Sequence, residues 1–177
     1  MPRNIEIKAR IASVDALEPL AAALATQGPI EIVQDDTFFR CSSGRLKLRL
    51  FSATEGELIF YQRANERGPK ESFYLRAPTA SPEALRDVLN LAHGQVGRVV
   101  KRRTLYLVGR TRVHLDRVEG LGHFLELEVV LDEGEPGESG TREAHALMGR
   151  LGIEPTDLIE SAYVDMLPRS TALHHES

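Results

Sequence analysis

Polar and apolar residues alternate along five stretches of the chain, beginning near its first residues. In the stretch RNIEIKAR, the polar Asn4, Glu6 and Lys8 fall on one side and the apolar Ile5 and Ile7 fall on the other. Because successive side chains of a β-strand point to opposite faces, this alternation predicts a strand with one charged and one apolar face. The same pattern recurs in residues 44–50, 99–107, 110–118 and 123–131.

Four other segments have helical character. Ser13 and Ser81 are the expected N-caps of the first two helices, and Gly28 and Gly94 are their expected C-terminal ends. Pro82 suits the first position of the second helix, where its missing N–H would have no intrahelical partner in any case. The expected helices cover residues 13–28, 81–94, 140–153 and 155–167.

The predicted elements fall into two similar halves. Residues 7–17 (IKARIASVDAL) match residues 75–85 (LRAPTASPEAL), and residues 44–50 match residues 109–115 at nearly the same offset. Each half has a strand, a helix and then three strands, which favours an internal duplication. Eight strands are enough to close a small antiparallel barrel. We therefore predict an α+β fold in which two pseudo-repeated halves form an eight-stranded closed antiparallel barrel.

The pattern alone leaves open which strand face points into the barrel. In an ordinary small barrel the apolar faces point inward and the charged faces meet water. The predicted helices are apolar enough to need a sheet surface of their own, however. If they pack on the outside of the barrel, the charged faces point into its lumen.

Basic side chains outnumber acidic ones about two to one on these charged faces, although the whole chain is acidic. The basic set is Lys8, Arg10, Arg45, Lys47, Arg49, Arg63, Lys101, Arg103 and Arg112, and the acidic set is Glu6, Asp116, Glu126 and Glu128. Because buried charges need partners, a lumen of this kind would require a polyanion, and its carboxylates would suit a hard divalent cation. The chemistry that this favours is phosphoryl or nucleotidyl transfer on a polyphosphate.

Composition limits the class of protein. The net charge of −4 and the pI near 5.9 argue against a dedicated nucleic-acid binder. No apolar run is long enough to cross a bilayer and no signal-peptide core begins the chain, so we expect a cytoplasmic protein with no membrane partner. Cys41 is the single cysteine, which excludes a disulfide framework. The length predicts one domain over residues 1–168 and a flexible tail over residues 169–177.

Several motifs, taken together, resemble those of a known family. Residues 4–8 (NIEIK) stand where the CYTH superfamily, also called the triphosphate tunnel enzymes, has an E-x-E-x-K strand. Further matching segments, in family order, are DTFF, GRLKLR, LIFYQRA, KESFY, VVKRR and TRVHLDRVEGLGHFLELEV. The resemblance extends from residue 4 to about residue 130. It implies an eight-stranded tunnel with a charged interior and with helices on the outside.

The resemblance also implies roles for most of the charged residues. The implied metal ligands are Glu6, Glu126 and Glu128, with Asp116 and Asn4 as further candidates. The implied triphosphate cradle consists of Lys8, Arg45, Lys47, Arg49, Arg63, Lys70, Lys101, Arg103 and Arg112. The expected catalytic residues are Glu6, Lys8 and Asp116, and the expected cofactor is Mg²⁺ or Mn²⁺.

Two positions modify these expectations. Asn4 stands where the family pattern has its first glutamate, and an amide oxygen can bind a cation but brings no negative charge. We therefore expect one metal position to be weakened. Lys70 belongs either to the cradle or to a mobile loop over the stretch NERGPK at the tunnel mouth.

The resemblance implies a small-molecule triphosphate as the substrate, with ATP, tripolyphosphate and thiamine triphosphate as the candidates. The chain looks most similar to the class IV adenylyl cyclase branch, which converts ATP to cyclic AMP and pyrophosphate. Hydrolysis of tripolyphosphate or thiamine triphosphate is the alternative, and non-catalytic binding of polyphosphate or nucleotides is a second one. Family members are often dimers, so a homodimer is an open expectation.

Overall fold

The computed structural model describes residues 2–63 and 67–168, so the predicted tail and part of the NERGPK stretch lie outside the described residues. The elements, in chain order, are β1 (Arg3–Arg10), α1 (Val14–Leu24), β2 (Gln27–Phe39), β3 (Arg45–Ser52), β4 (Glu55–Arg63), β5 (Lys70–Thr79), α2 (Pro82–His93), β6 (Gln95–Val108), β7 (Thr111–Val118), β8 (Gly122–Val130), α3 (Gly137–Arg150), a 3₁₀ turn (Pro155–Asp157) and α4 (Tyr163–Met166). None of the helices described has the length and apolar character that a bilayer crossing demands.

All eight strands pair antiparallel and close into a ring in the order β1-β5-β4-β3-β2-β6-β7-β8. This order is unchanged when β1 is exchanged with β5, β2 with β6, β3 with β7 and β4 with β8. The topology therefore has the twofold pseudo-symmetry that the sequence repeat predicts. Closing the ring also leaves no unpaired strand edge.

The hydrophobic core lies outside the ring, between the sheet and the helices. Ile7, Leu115 and Leu127 project from the outer face of β1, β7 and β8 and are fully buried in the largest apolar cluster, to which α1 and α3 contribute. A second cluster places Leu48 of β3 against Leu89 of α2. The apolar strand faces are thus covered by helices, and the charged faces point into the ring. This confirms the inverted arrangement, in which the charged strand faces point into the lumen and the apolar faces point outward.

Two predicted helices have different bounds in the structure. α1 ends at Leu24, short of the predicted Gly28, because Thr26 already donates its N–H to Leu107 O and the chain then continues into the long β2–β6 pairing. The third helix, α3, begins three residues before Gly140 and ends at Arg150.

The predicted helix over residues 155–167 is wrong. Only the 3₁₀ turn and the single turn of α4 form, and the chain between them is extended. Its backbone groups are used in other contacts: Ile159 donates its N–H to Lys8 O, and Leu158 forms an isolated bridge with Ala9 of β1. These contacts with a strand replace the hydrogen bonds of a helix.

The position of the core yields a stability prediction. Leu127→Ala should lower the free energy of unfolding by roughly 2–5 kcal/mol, because it empties a fully buried site between the ring and the helices. Urea denaturation measures the change. Leu91→Ala is the matched control, since Leu91 is 90% exposed on α2 and its loss should cost no more than about 0.5 kcal/mol. Equal effects of the two substitutions would contradict a core outside the ring.

Candidate active site

A cavity of about 310 Å³ runs through the interior of the ring. Eight basic and five acidic side chains line it, so its wall carries an excess of positive charge. The basic residues are Lys8, Lys47, Arg49, Arg63, Arg76, Lys101, Arg103 and Arg112, and the acidic residues are Glu6, Asp36, Glu57, Glu126 and Glu128.

The segment that contains α4 closes one end of this cavity. Ala162 and Tyr163 line the cavity and are buried, and Tyr163 packs against Phe38, Val99 and Phe124. We call this the closed end. We call the opposite end the open mouth, because the residues that line it are half-buried or exposed. These residues are Ile32, Phe51, Glu57, Arg76 and Leu105.

A pair of carboxylates lies on adjacent strands in the middle of the wall. Glu6 of β1 stands directly opposite Glu128 of β8 in the strand register. Each is held by an arginine: Arg63 donates to Glu6 Oε1 at 2.6 Å, and Arg112 Nε donates to Glu128 Oε2 at 2.9 Å. These ion pairs orient both carboxylates.

A third carboxylate, Glu126, lies one inward-facing position nearer to the closed end. Lys8 Nζ is 3.3 Å from its Oε1, and Arg103 donates to its Oε2 at 2.8 Å. Arg103 also forms a two-pronged ion pair with the fully buried Asp116, whose Oδ2 accepts a hydrogen bond from the Tyr163 hydroxyl at 2.8 Å. The closed end thus contributes directly to the charged network.

A further carboxylate organises the basic side chains on the other side of the cavity. Asp36 of β2 is 1% exposed and accepts two hydrogen bonds from Arg49, each at 2.8 Å. Lys47 Nζ and Lys101 Nζ lie 3.5 and 3.9 Å from its Oδ2. Burial opposes ionisation, but these cations, Arg49 first, hold the pKa of Asp36 well below its usual value. Asp36 is therefore an internal counter-ion for three wall cations.

The described residues include one cluster with the donor atoms of a metal site. One ligand atom from each of His114, Glu126 and Glu128 lies within 4.8 Å of the others. Two buried atoms nearby have no hydrogen-bond partner, Asn4 Oδ1 and His114 Nδ1. Oxygen-rich sites with unsatisfied lone pairs suit a divalent cation. The residues present therefore fit the metal that the sequence resemblance implies.

Burial changes the protonation of the lumen. It raises the pKa of Glu6, and the neighbouring Glu126 carboxylate raises it further. Burial and the adjacent Arg103 lower the pKa of Lys101 to about 7, and burial with Arg49 lowers the pKa of Lys47 to about 8. Burial and Arg103 also lower the pKa of His114 to about 4. Near neutral pH this imidazole is uncharged and the two lysines titrate.

Comparison with known proteins agrees with this architecture. The family model described as the CYTH domain matches residues 2–163, which is nearly all of the chain. The chain belongs to the CYTH domain family. Enzymes of this family depend on divalent metal and act on triphosphates.

Individual relatives are similar over nearly their full lengths. Adenylate cyclase CyaB of Aeromonas hydrophila is 26% identical over 98% of this chain and 93% of its own. The PH1012 protein of Pyrococcus horikoshii OT3 has the same fold, with a TM-score of 0.82 at 23% identity over 93% of this chain and 99% of its own. HpAC1 of Hippeastrum, described with a dominant triphosphatase activity, has a TM-score of 0.63 at 20% identity over 92% of this chain and 93% of its own.

The structure brings most of the residues that the CYTH motifs predict into one cavity. The predicted metal ligands Asn4, Glu6, Glu126 and Glu128 line it. So do the predicted cradle residues Lys8, Lys47, Arg49, Arg63, Lys101, Arg103 and Arg112. Their roles in binding and catalysis remain predictions.

Three predicted site residues are not part of the lining. Arg45 lies at the edge of the ring and forms an ion pair with Asp165 of α4, with one hydrogen bond of 3.1 Å. Lys70 donates to Glu160 O at 3.2 Å and so lies beneath residues 158–167, the segment that closes the cavity. Asp116 lies behind Arg103 and orients it.

Arg110, which alternation predicts on the charged face of β7, also lies elsewhere. It precedes the strand, which begins at Thr111, and forms ion pairs with Glu135 and Glu143 outside the ring. Its guanidinium therefore takes no part in the lumen.

Sequence reasoning missed three contributors to the site. Asp36 belongs to the DTFF motif, and alternation with Gln34 and Phe38 places all three on one face, but the motif does not identify Asp36 as the counter-ion of the wall cations. The alternation in residues 110–118 places His114 on the charged face but indicates no role for it. Tyr163 lies in the stretch for which a helix is predicted, and nothing in its local sequence indicates that it reaches Asp116.

The lowered lysine pKa values predict proton uptake when an anion binds. A bound tripolyphosphate should raise the pKa of Lys101 and Lys47 from about 7 and about 8, so binding at pH 8 should take up between one and two protons. Because each proton taken up makes binding weaker at higher pH, the affinity for tripolyphosphate should fall as the pH rises above about 7. Calorimetry in buffers of different ionisation enthalpy measures the uptake.

Lys101→Arg is the matched variant for this measurement. Arginine keeps the positive charge but does not titrate, so the variant should still bind tripolyphosphate while the proton uptake falls. Equal uptake by the variant and the unaltered protein would show that Lys101 does not titrate on binding.

Proposed function

We propose that this protein is a divalent-metal-dependent enzyme that converts ATP to cyclic AMP and pyrophosphate. The observation that carries the proposal is a single cavity, closed at one end, in which a surplus of cations faces a group of carboxylates. Such a wall suits a polyanion bound together with a metal ion. The similarity to adenylate cyclase CyaB over 98% of the chain supports ATP as the triphosphate.

The order of charges along the cavity favours one orientation of the substrate. Lys8 and Lys101 lie at the closed end, with Nζ atoms 4.0 and 5.1 Å from the centre of the Tyr163 ring. Glu6 and Glu128 lie one inward-facing position nearer to the open mouth, a step of about 6.6 Å along a strand. A terminal phosphate beside the two lysines would therefore place the innermost phosphorus near these carboxylates and the nucleoside at the mouth.

This orientation favours attack at the innermost phosphorus over hydrolysis at the terminal one. The closed end is built from Tyr163, Phe38, Val99 and Phe124, all buried, which leaves little room for an attacking water. The open mouth includes Ile32, Phe51 and Leu105, whose apolar side chains suit a nucleoside. A ribose held there would have its 3′-hydroxyl near the innermost phosphorus, as cyclisation requires.

In the proposed reaction the ribose 3′ oxygen forms a bond to the innermost phosphorus, and the bond from that phosphorus to pyrophosphate breaks. Lys8, Lys47 and Lys101 neutralise the charge that develops on the departing pyrophosphate. Arg49 and Arg103, each fixed by an aspartate, are preorganised to donate hydrogen bonds to phosphate oxygens. The hydroxyl proton leaves to solvent through the open mouth.

The metal belongs to the carboxylate side of the cavity. Glu6, Glu126, Glu128 and Asn4 would hold it, and it would supply positive charge at the reacting phosphate. Arg63 and Arg112 hold Glu6 and Glu128 in place on the cavity wall. Asn4 contributes a neutral oxygen, which makes the site less negative than one with a glutamate at that position.

Triphosphatase activity is the second candidate. Inorganic tripolyphosphate is symmetric, so one terminal phosphorus would always face the carboxylates and the open mouth, where water has access. The fold shared with HpAC1, described with a dominant triphosphatase activity, agrees with this alternative. Thiamine triphosphate would place its terminal phosphate at the closed end, as ATP would.

A product assay tests the proposal. With ATP and Mg²⁺ or Mn²⁺, we expect cyclic AMP and pyrophosphate in equal amounts. Free phosphate, released fastest from tripolyphosphate, would show that the protein is a triphosphatase and not a cyclase, and no turnover on any triphosphate would indicate a binding protein.

Glu128→Ala should abolish metal-dependent turnover, whereas Glu83→Gln, an exposed position on α2, should leave it unchanged. Turnover retained by Glu128→Ala would contradict the metal assignment.

A further inference from the structure

His114 lies at the centre of the carboxylate side of the cavity. It is 5% exposed and projects from β7 between Arg112 and Asp116, directly opposite Glu126 of β8 in the strand register. Its Nδ1 is 3.8 Å from Glu128 Oε1. The ligand atoms of His114, Glu126 and Glu128 all lie within 4.8 Å of one another, close to the span of about 4.2 Å between opposite ligands on one small divalent ion.

The hydrogen bonding of His114 indicates a missing partner. Nδ1 is buried and forms no hydrogen bond, and a buried polar atom in this state costs free energy. Glu128 Oε1 faces it at a distance too long for a hydrogen bond, while Glu128 Oε2 is held by Arg112. A cation between Nδ1 and Oε1 would satisfy both atoms.

A purely structural role would not explain why the buried Nδ1 of His114 has no hydrogen-bond partner. A histidine with a purely structural role normally has both ring nitrogens satisfied by hydrogen bonds or by water. A neutral imidazole nitrogen that forms no hydrogen bond has a lone pair that a metal ion can accept. Asn4 Oδ1, also buried and without a partner, adds a second neutral donor to the same wall.

We propose that His114 is a direct ligand of the metal ion, so that this chain has a mixed nitrogen and oxygen site that favours transition metals over Mg²⁺. The inference rests on the proposed function in that it concerns the same site. Imidazole is a poor ligand for Mg²⁺ and a good one for Co²⁺, Ni²⁺ and Zn²⁺. Co²⁺ should therefore bind much more tightly than Mg²⁺, with Mn²⁺ between them.

Pulsed electron paramagnetic resonance on the Mn²⁺-loaded protein tests the ligand directly, without substrate or turnover. The full chain is used with His174→Gln and His175→Gln, because adjacent histidines can themselves chelate metal. With one equivalent of Mn²⁺ we expect hyperfine coupling to one imidazole nitrogen, and labelling the histidines with ¹⁵N should change it accordingly. Absence of this coupling in a protein that binds Mn²⁺ overturns the proposal, whatever the enzyme assay gives.

Substitution then assigns the nitrogen. In His114→Asn an oxygen replaces the nitrogen, so the coupling should vanish, Co²⁺ affinity should fall at least tenfold and Mg²⁺ affinity should change less than threefold. His145→Asn, at an exposed position on α3, should change none of these quantities. Coupling retained by His114→Asn, or equal losses for both metals, overturns the proposal. If His114→Asn does not fold, the ¹⁵N result on the unaltered ring still decides the question.

Discussion

Burying an excess of positive charge inside a closed sheet is the constraint on which the rest of this structure depends. Moving an ion from water into a protein interior costs several kcal/mol unless partners compensate for the lost hydration. The cavity meets part of this cost internally: Asp36 serves three cations, Glu126 serves Lys8 and Arg103, and Asp116 fixes Arg103 from behind. The remaining cost appears in the lowered pKa values of Lys47 and Lys101.

This constraint also explains where the hydrophobic core lies. Because the inner faces of the strands carry charges, the outer faces must supply the apolar surface that stabilises the fold. Helices α1 and α3 cover one side of the ring and α2 covers another, and the fully buried leucines lie beneath them. The closing segment at residues 158–167 combines both tasks, since Leu158 joins the outer core while Tyr163 reaches the charged interior.

The sequence was sufficient to predict the ring, its duplication and most of the cavity lining. Alternation fixes which residues share a strand face, so Glu6, Lys8, Glu126 and Glu128 could be grouped before their distances were known. The direction of the charged face could not be decided from that pattern. The apolar helices made the inverted arrangement plausible, and the family motifs favoured it.

The errors arose where tertiary contacts outweigh local pattern. The stretch at residues 155–167 has helical composition, but its backbone bonds to β1 and its carbonyls at Glu160 and Ser161 accept hydrogen bonds from lysines. Arg45 alternates correctly with its neighbours, yet it lies near the strand end, where Asp165 is within reach. In both cases the contacting residues are far apart in the sequence, so the local pattern does not indicate the contact.

The central claim is that the interior is built to receive a polyphosphate chain, and thermal unfolding with added tripolyphosphate tests it most directly. A ligand that binds only the folded state at one hundred times its dissociation constant stabilises by about 2.7 kcal/mol. We predict that Tm rises with the logarithm of the tripolyphosphate concentration, whereas orthophosphate at equal ionic strength has little effect. An unchanged Tm at millimolar tripolyphosphate, or an equal shift with orthophosphate, would contradict the account.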